Sequence, residues 1–155
     1  SLAPVQLGML TDEVFDKAVA LGERDWAVNE RSDHEVAGDR ERLTQAWLQL
    51  LANAVKFSED GSRVEIGSRV DSAGAHLWVS DHGAGIPVED QERIFERFER
   101  AGDRTAAGSG LGLTIVRAIA QAHGGEVRCD SSPGEGSTFT ITIPATPAPS
   151  PQEDA

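Results

Sequence analysis

The sequence has few of the residues that mark disulfide-rich, polyanion-binding or membrane-spanning chains. Its 155 residues contain one cysteine, Cys129, which excludes an internal disulfide and fits a reducing compartment. Only Lys17 and Lys56 of its 14 basic residues are lysines, and the formal net charge of −12 argues against nucleic acid or an anionic membrane as a partner. No apolar run approaches the ~18 residues of a membrane-spanning helix, and we expect no signal peptide before Ser1. Because the chain begins with Ser and not Met, we expect it to be part of a longer protein.

A hydrophobic content of 39%, arranged in alternating and helical patterns, predicts one folded domain. The predicted strands span residues 5–7, 26–29, 64–70, 75–80, 126–129 and 137–143. The predicted helices span residues 11–21, 40–57, 87–98 and 111–123, with Thr11 and Asp39 as N-caps of the first two. We expect an α/β two-layer sandwich, with a mixed, mostly antiparallel sheet covered on one face by about three helices. The domain should span residues 1–144, followed by a disordered Pro-rich tail at residues 145–155.

The long predicted helix carries the motif LLANAVKF and a polar stripe on one face. Gln49, Asn53 and Lys56 are spaced four and three residues apart, so they share one line of the helix surface. The simplest interpretation is the solvated side of an amphipathic helix. The functional one is that the neutral oxygen of Asn53 contacts Mg²⁺ while Lys56 meets phosphate, since a hard cation accepts amide oxygens and shares the phosphates of a nucleotide. No His/Cys cluster offers a competing set of metal ligands.

The motif DHGAGIP, residues 81–87, directly follows a predicted strand. Gly83 and Gly85 permit backbone conformations closed to other residues and let a ligand approach closely. Asp81, at the strand end, can accept a hydrogen bond from an exocyclic amine such as N6 of adenine. It can equally form an Asx turn, a common use of aspartate before glycine, so this motif alone leaves both interpretations open.

The motif GSGLGLTIV, residues 108–116, places glycines in a loop that enters a helix. Free backbone N–H groups at the positive end of a helix dipole form a ready anion site. The motif is not a Walker loop, because no Lys-Ser/Thr pair follows its last glycine. The preceding motif IFERFER, residues 94–100, predicts core packing by Phe95 and Phe98, with Arg97 and Arg100 pointing elsewhere.

The order of these four motifs resembles the catalytic, ATP-binding domain of sensor histidine kinases. An Asn-bearing helix, DxGxGI, an IFExF segment and GxGLGL follow one another, and the resemblance covers roughly residues 4–144, including the HGG turn and the closing GEGSTFTITIP hairpin. It implies a protein-histidine kinase domain that binds MgATP and transfers the γ-phosphoryl group to a histidine on a separate dimerisation and phosphoacceptor domain. It further implies a response regulator as partner, a cytoplasmic location at the end of a membrane-bound sensor, and a monomeric isolated domain.

The resemblance also implies roles for the residues around the phosphates. Asn53, Lys56 and Arg100 would form the catalytic set, with Asn53 as the Mg²⁺ ligand. Arg100 would lie near the terminal phosphate at the mouth of a lid, residues 99–108. The glycine-rich motif would supply further nucleotide-binding residues, with the amides of its two later glycines facing the phosphates: Ser109, Gly110, Leu111, Gly112 and Leu113.

At the base, the resemblance implies that Asp81 binds adenine. Gly83, Gly85 and Ile86 would shape that pocket, and Phe57 would flank the base or the ribose.

Three positions depart from the family pattern. His82 stands where an Asn is common, and Glu99 where an aromatic residue is usual, which leaves the packing of the lid open. Gln49 replaces a first Asn, so we expect only a lesser contact with Mg²⁺ or water. ATP hydrolases of the wider superfamily carry a Glu four residues before the Mg²⁺-binding Asn to activate water, and Gln49 cannot take a proton. The sequence therefore favours a kinase over a hydrolase.

The chain contains no suitable phosphoacceptor histidine. His34, followed by Glu35, imitates an acceptor dipeptide but has no amphipathic helix around it. His76 falls in a predicted strand, His82 in the glycine loop and His123 at a helix end, so we expect the acceptor upstream of this chain. The alternatives are a serine kinase of anti-sigma type, or a nucleotide-binding module without transfer.

Overall fold

The computed structural model describes residues 2–91, 93–95 and 110–145. Within these ranges the chain forms a five-stranded sheet, a small two-stranded sheet and three α-helices. The strands are β1 (Ala3–Gln6), β2 (Asp25–Glu30), β3 (Glu35–Gly38), β4 (Arg63–Asp71), β5 (Gly74–Asp81), β6 (Glu126–Ser132) and β7 (Gly136–Ile143). The helices are α1 (Leu7–Ala18), α2 (Arg40–Lys56) and α3 (Gly110–Ala122). The predicted lid and all but the first residue of the predicted tail lie outside the described residues.

The main sheet has the order β2-β4-β5-β7-β6. The β2–β4 pair is parallel and the other three pairs are antiparallel, so the predicted mixed, mostly antiparallel sheet is confirmed. β1 and β3 pair antiparallel in the separate small sheet. β5 is the central strand, and it ends at Asp81.

The core lies between the sheet and the three helices, and it follows from the alternation of the strands. Ile66 of β4, Leu77 of β5 and Ile141 of β7 are fully buried on one face of the sheet. Trp47 of α2 is fully buried against them, and its indole N–H donates to the carbonyl of Trp78 at 3.1 Å. A buried indole with a satisfied N–H contributes its full apolar area to the core.

The predicted start of α1 is wrong. The helix begins at Leu7, where the side chain of Gln6 accepts a hydrogen bond from the N–H of Met9 at 2.7 Å. Thr11 is not the N-cap. It is fully buried inside the helix, where its hydroxyl donates to the carbonyl of Leu7 at 2.7 Å and meets the hydroxyl of Ser68 at 2.8 Å. Burial against β4 therefore decides the role of Thr11. Asp39, by contrast, caps α2 as predicted, accepting from the N–H of Arg42 at 3.2 Å.

Two further elements differ from the predictions. β3 was not predicted, because its four residues carry little pattern and the strand exists only through pairing with β1, where Val5 faces Val36. The helix predicted at residues 87–98 is replaced, where described, by two 3₁₀ turns, Val88–Asp90 and Arg93–Phe95. Val88 is 74% exposed, and the side chain of Gln91 donates to the carbonyl of Ile86. Among the described apolar residues of this range, burial is confined to Ile94 and Phe95 at its far end, too short a stripe to support a continuous helix.

Candidate nucleotide-binding site

The polar stripe of α2 lies at the edge of the core. Gln49 and Asn53 are half-buried, and Lys56 is exposed. Within the described part of the chain, no group hydrogen-bonds to the side-chain amide of either Gln49 or Asn53. Since partly buried polar groups normally have partners, these two amides are suited to contact a ligand, its metal or bound water.

Phe57 follows directly on this stripe as the C-cap of α2. Its side chain is 54% exposed, which is unusual for a large aromatic residue beside a core. The Lys56 ammonium lies 5.9 Å from the centroid of the Phe57 ring. A flat apolar surface and a cation therefore lie side by side at the end of α2.

Asp81 ends β5 and is only 7% exposed. Burial raises the pKa of its carboxyl above the usual range, although backbone hydrogen bonds from Gly83 and Ser137 and the nearby charge of His82 act in the opposite direction. One carboxylate oxygen accepts the N–H of Gly83 at 2.8 Å. The Asx turn is therefore present, and a carboxylate, which has about four acceptor sites, retains capacity to accept from an amine as well.

The glycines of the loop after β5 allow contact between two stretches of backbone. A Cβ added to Gly83 would overlap the carbonyl oxygen of Phe57, and one added to Gly85, whose φ is +81°, would overlap the carbonyl of Ser132. The first contact brings the C-terminal turn of α2 against the loop of Asp81. The predicted phosphate and adenine residues are thus joined through Phe57 and Gly83.

Hydrogen bonds connect this loop to the β6–β7 hairpin. The sequence analysis did not predict them. The Ser131 hydroxyl accepts from the N–H of Ile86 at 2.7 Å and donates to the carbonyl of Gly136 at 2.9 Å. The Gln91 amide donates to the carbonyls of Ile86 and Ser131, both at 2.9 Å. Ser131 lies 45 residues from Ile86 along the chain, so no local pattern could have indicated the contact.

The glycine-rich motif supplies the first turn of α3, as its pattern predicts. The helix begins at Gly110, and the backbone of Leu111 lies in its first turn. Gly112 is half-buried and Leu113 is 6% exposed, in the core. α3 packs against α2, which brings the glycine-rich turn to the helix of Asn53. The predicted residues Arg100 and Ser109 lie outside the described residues.

The four histidines are placed as the sequence predicts. His34 is exposed just before β3, and His82 is exposed in the loop after Asp81. His76 bonds to Asp71 at 2.8 Å and to Thr142 at 2.9 Å on the outer face of the sheet. His123 accepts the N–H of Asp39 at 3.0 Å and pairs with the carbonyl of Ile119 at 2.8 Å, so it ties the end of α3 to the start of α2.

No group of three or more His, Cys, Asp or Glu side chains that could hold a metal ion occurs among the described residues. No helix in the part of the chain that the structure describes is long and apolar enough to cross a membrane.

Comparison with known proteins identifies the family. The profile of the histidine kinase-, DNA gyrase B- and HSP90-like ATPases matches residues 38–147. The chain belongs to this family, and it corresponds to the ATP-binding catalytic domain of sensor histidine kinases.

Particular relatives support this placement. The chain is 46% identical over 117 residues to the sensor-like histidine kinase SenX3 of Mycobacterium tuberculosis, covering 74% of this chain and 28% of that protein. It is 39% identical over 111 residues to the sensor histidine kinase WalK of Bacillus subtilis, covering 68% of this chain and 18% of that protein. The structure of the mycobacterial sensor histidine kinase MprB superposes with a TM-score of 0.80 at 32% identity, over 94% of this chain and all of that one. The chain thus spans less than a third of the length of the full SenX3 and WalK proteins.

Proposed function

We propose that this domain binds MgATP and transfers its γ-phosphoryl group to a histidine on a separate phosphoacceptor and dimerisation domain, from which a response regulator takes it. The names of the relatives support this class of reaction. The observation that carries the choice of transfer over hydrolysis is Gln49. It occupies the helix position at which hydrolases of the superfamily need a carboxylate, and an amide cannot accept a proton from water.

The base half of the site is supported by Asp81 and Phe57. The carboxylate of Asp81 is suited to accept a hydrogen bond from N6 of adenine, and the exposed ring of Phe57 is suited to pack against the base or ribose. Gly83, Gly85 and Ile86 shape this half through their backbone contacts with Phe57, Ser132 and Ser131.

The phosphate half is supported by α2 and the start of α3. The residues present fit Mg²⁺, because the half-buried amide of Asn53 has no partner among the described residues and its oxygen suits a hard cation. Asn53 would hold the ion, with Gln49 in a lesser contact. When bound, Mg²⁺ would neutralise phosphate charge. Lys56 and the amides of Gly110 and Gly112 would add further positive charge around the phosphates.

In the proposed reaction an imidazole nitrogen of the acceptor attacks the γ-phosphorus. The bond from that phosphorus to the β,γ-bridging oxygen breaks, and ADP leaves. Such a transfer needs positioning and charge neutralisation more than a base, which is what this half-site offers. The proposed set is completed by Arg100, which would act at the terminal phosphate, and by Ser109, Leu111 and Leu113.

We further propose that the domain, predicted as residues 1–144, is the cytosolic end of a membrane-bound sensor. Ala145, the first residue of the predicted tail, packs against the core and so belongs to the domain. The alternatives are a serine kinase of anti-sigma type and a nucleotide-binding module without transfer. They differ in the phosphorylated product, since phosphohistidine is acid-labile and phosphoserine is acid-stable.

The test uses γ-labelled ATP with the 155-residue chain and with the full-length protein. The chain alone should bind MgATP, release negligible phosphate and take up no label. The full-length protein should take up acid-labile label, and the Asn53→Ala variant should not. Acid-stable label would favour the serine kinase, and binding without any label in the full-length protein would favour the pure binding module. Labelling of His34 in the chain alone would contradict the proposal that the phosphoacceptor histidine lies on a separate domain.

A further inference from the structure

Arg24, in the segment between α1 and β2, is a buried cation that the sequence pattern did not single out. Its side chain is 4% exposed. A guanidinium carries five N–H groups, and here five hydrogen bonds use them. They reach the Ser58 hydroxyl (2.9 Å), the carbonyls of Glu23 (2.8 Å), Val55 (2.7 Å) and Ser58 (2.9 Å), and the Asp60 carboxylate (2.9 Å).

Three of these five acceptors lie in the last turn of α2 or just beyond its end, on Val55 and Ser58. The last carbonyls of a helix lack partners within it, and many helices end at a glycine whose left-handed conformation satisfies them. α2 has no such glycine, because its C-cap is Phe57 at φ −106° and the next residue is Ser58. Arg24 meets the carbonyl of Val55, and the Ser58 hydroxyl meets that of Ala54 at 2.6 Å. A guanidinium at this end also complements the negative pole of the helix dipole.

The turn that Arg24 holds is the one that carries the proposed nucleotide contacts. One nitrogen, Nη2, binds the carbonyls of Val55 and Ser58, and the two residues between them are Lys56 and Phe57. The carbonyl of Phe57 in turn lies against Gly83 in the loop of Asp81. Arg24 therefore holds the backbone of residues 55–58, which includes the Phe57 carbonyl that contacts the loop after β5.

We propose that Arg24 is a positioning residue of the nucleotide site, which sets the orientation of Lys56 by holding the Val55 and Ser58 carbonyls on either side of it. This inference rests on the proposed function, in which Lys56 contacts the phosphates of ATP. Loss of the guanidinium should weaken ATP binding even when the domain remains folded.

The experiment is a double-mutant cycle of Arg24→Gln and Lys56→Ala, with MgATP affinity measured by calorimetry well below the unfolding midpoint of every variant. Arg24→Gln should weaken binding about tenfold, within the range found for residues that share contacts. In the Lys56→Ala background the same change should weaken it no more than about twofold, because the residue through which Arg24 acts has been removed. A purely structural role would lower thermal stability without such coupling.

Two controls separate the causes. Asp60→Asn removes only the partner that is 89% exposed and should leave affinity unchanged. Val14→Ala, in the α1 core, should lower stability without changing affinity. If Arg24→Gln does not fold, Arg24→Lys and Ser58→Ala replace it. A lysine cannot bind both carbonyls in the fixed geometry of a guanidinium, and Ser58→Ala removes one of the five bonds.

The possible results are distinct. Lys56→Ala with unchanged affinity would overturn the role of Lys56 in the proposed function. A normal Lys56→Ala defect, combined with unchanged affinity in folded Arg24 variants, would overturn the role of Arg24 alone. Fully multiplicative effects of the two changes would also overturn it, because Arg24 would then not act through Lys56.

Discussion

Replacing Asp81 with asparagine is expected to change nucleotide binding and stability in opposite directions. Asparagine fills nearly the same volume and keeps an oxygen for the N–H of Gly83, so the turn after β5 should persist. It removes the negative charge that would accept N6 of adenine. Hydrogen bonds to charged groups contribute roughly 1.5–3 kcal/mol, so ATP affinity should fall by about 10- to 100-fold.

Without nucleotide, the same change should stabilise the domain near neutral pH. Burial raises the pKa of Asp81 in the folded chain, so folding favours the protonated carboxyl and is opposed by the ionised one. Above the raised folded-state pKa the wild type carries this cost in full. As the pH falls towards the unfolded-state value of about 3.9, the carboxyl protonates and the cost disappears. The gain in Tm for Asp81→Asn should therefore be largest at neutral pH and shrink on acidification.

Asp71, at the opposite end of the β4–β5 hairpin, provides a matched control. Hydrogen bonds from His76 and from the N–H of Ala73 lower the pKa of this exposed carboxyl, so its stabilising contribution exists above the unfolded-state pKa and is lost as the pH falls. Asp71→Asn should lower Tm slightly at neutral pH and leave ATP affinity unchanged.

The assays are thermal unfolding between pH 5 and 8 and calorimetry with ATP and GTP. Wild type should bind ATP at least ~100-fold more tightly than GTP, whose carbonyl would face the carboxylate, and Asp81→Asn should lose most of that preference. The reasoning on Asp81 would be refuted if wild type bound ATP and GTP equally. A neutral-pH Tm for Asp81→Asn below that of wild type would refute the argument from burial.

Three further predictions concern other parts of the molecule. Asn53→Ala should abolish the dependence of ATP affinity on Mg²⁺, measured with and without chelator, while adenosine affinity stays unchanged because Asp81 is intact. Gly83→Ala should weaken ATP binding by at least ~10-fold and lower Tm. The new Cβ would overlap the carbonyl oxygen of Phe57, and relieving that overlap requires the backbone to move. Cys129 should react with iodoacetamide at pH 8 far more slowly than in the unfolded chain, because burial and the nearby Asp130 raise its pKa to about 12.

Each of these has a control and a contradicting outcome. Asn53→Ala should be compared with Ala52→Ser on the exposed side of α2, and a retained Mg²⁺ dependence would remove Asn53 as the ligand. Gly83→Ala should be compared with Ala84→Ser in the same loop, and equal behaviour of the two would contradict the steric argument. Labelling of folded Cys129 at the rate of the unfolded chain would contradict the raised pKa of its thiol and its packing against the core.

Local sequence patterns correctly predicted the helices and strands whose conformation depends mainly on neighbouring residues in the chain. The Asp39 cap fixed the start of α2, and alternation in β4, β5 and β7 identified the sheet. Elements that depend on distant partners were missed or misplaced. Thr11 resembles a cap in sequence, yet Ser68 on β4 holds it inside α1, and β3 is a strand only beside β1.

The candidate site divides in the same way. Asp81, Gly83 and Gly85 could be recognised because a carboxylate at a strand end followed by glycines is a local sequence pattern. Asn53 and Lys56 could be recognised because helical spacing places them on one face of α2. Arg24, Ser131 and Gln91 could not, since each hydrogen-bonds to backbone carbonyls or N–H groups 31 to 45 residues away. A backbone carbonyl has the same chemistry at every position, so nothing in its own residue type indicates which distant side chain will bind it. The sequence by itself therefore determined the family and the side chains proposed to meet ATP, whereas only the tertiary structure decided which residues hold those side chains in place.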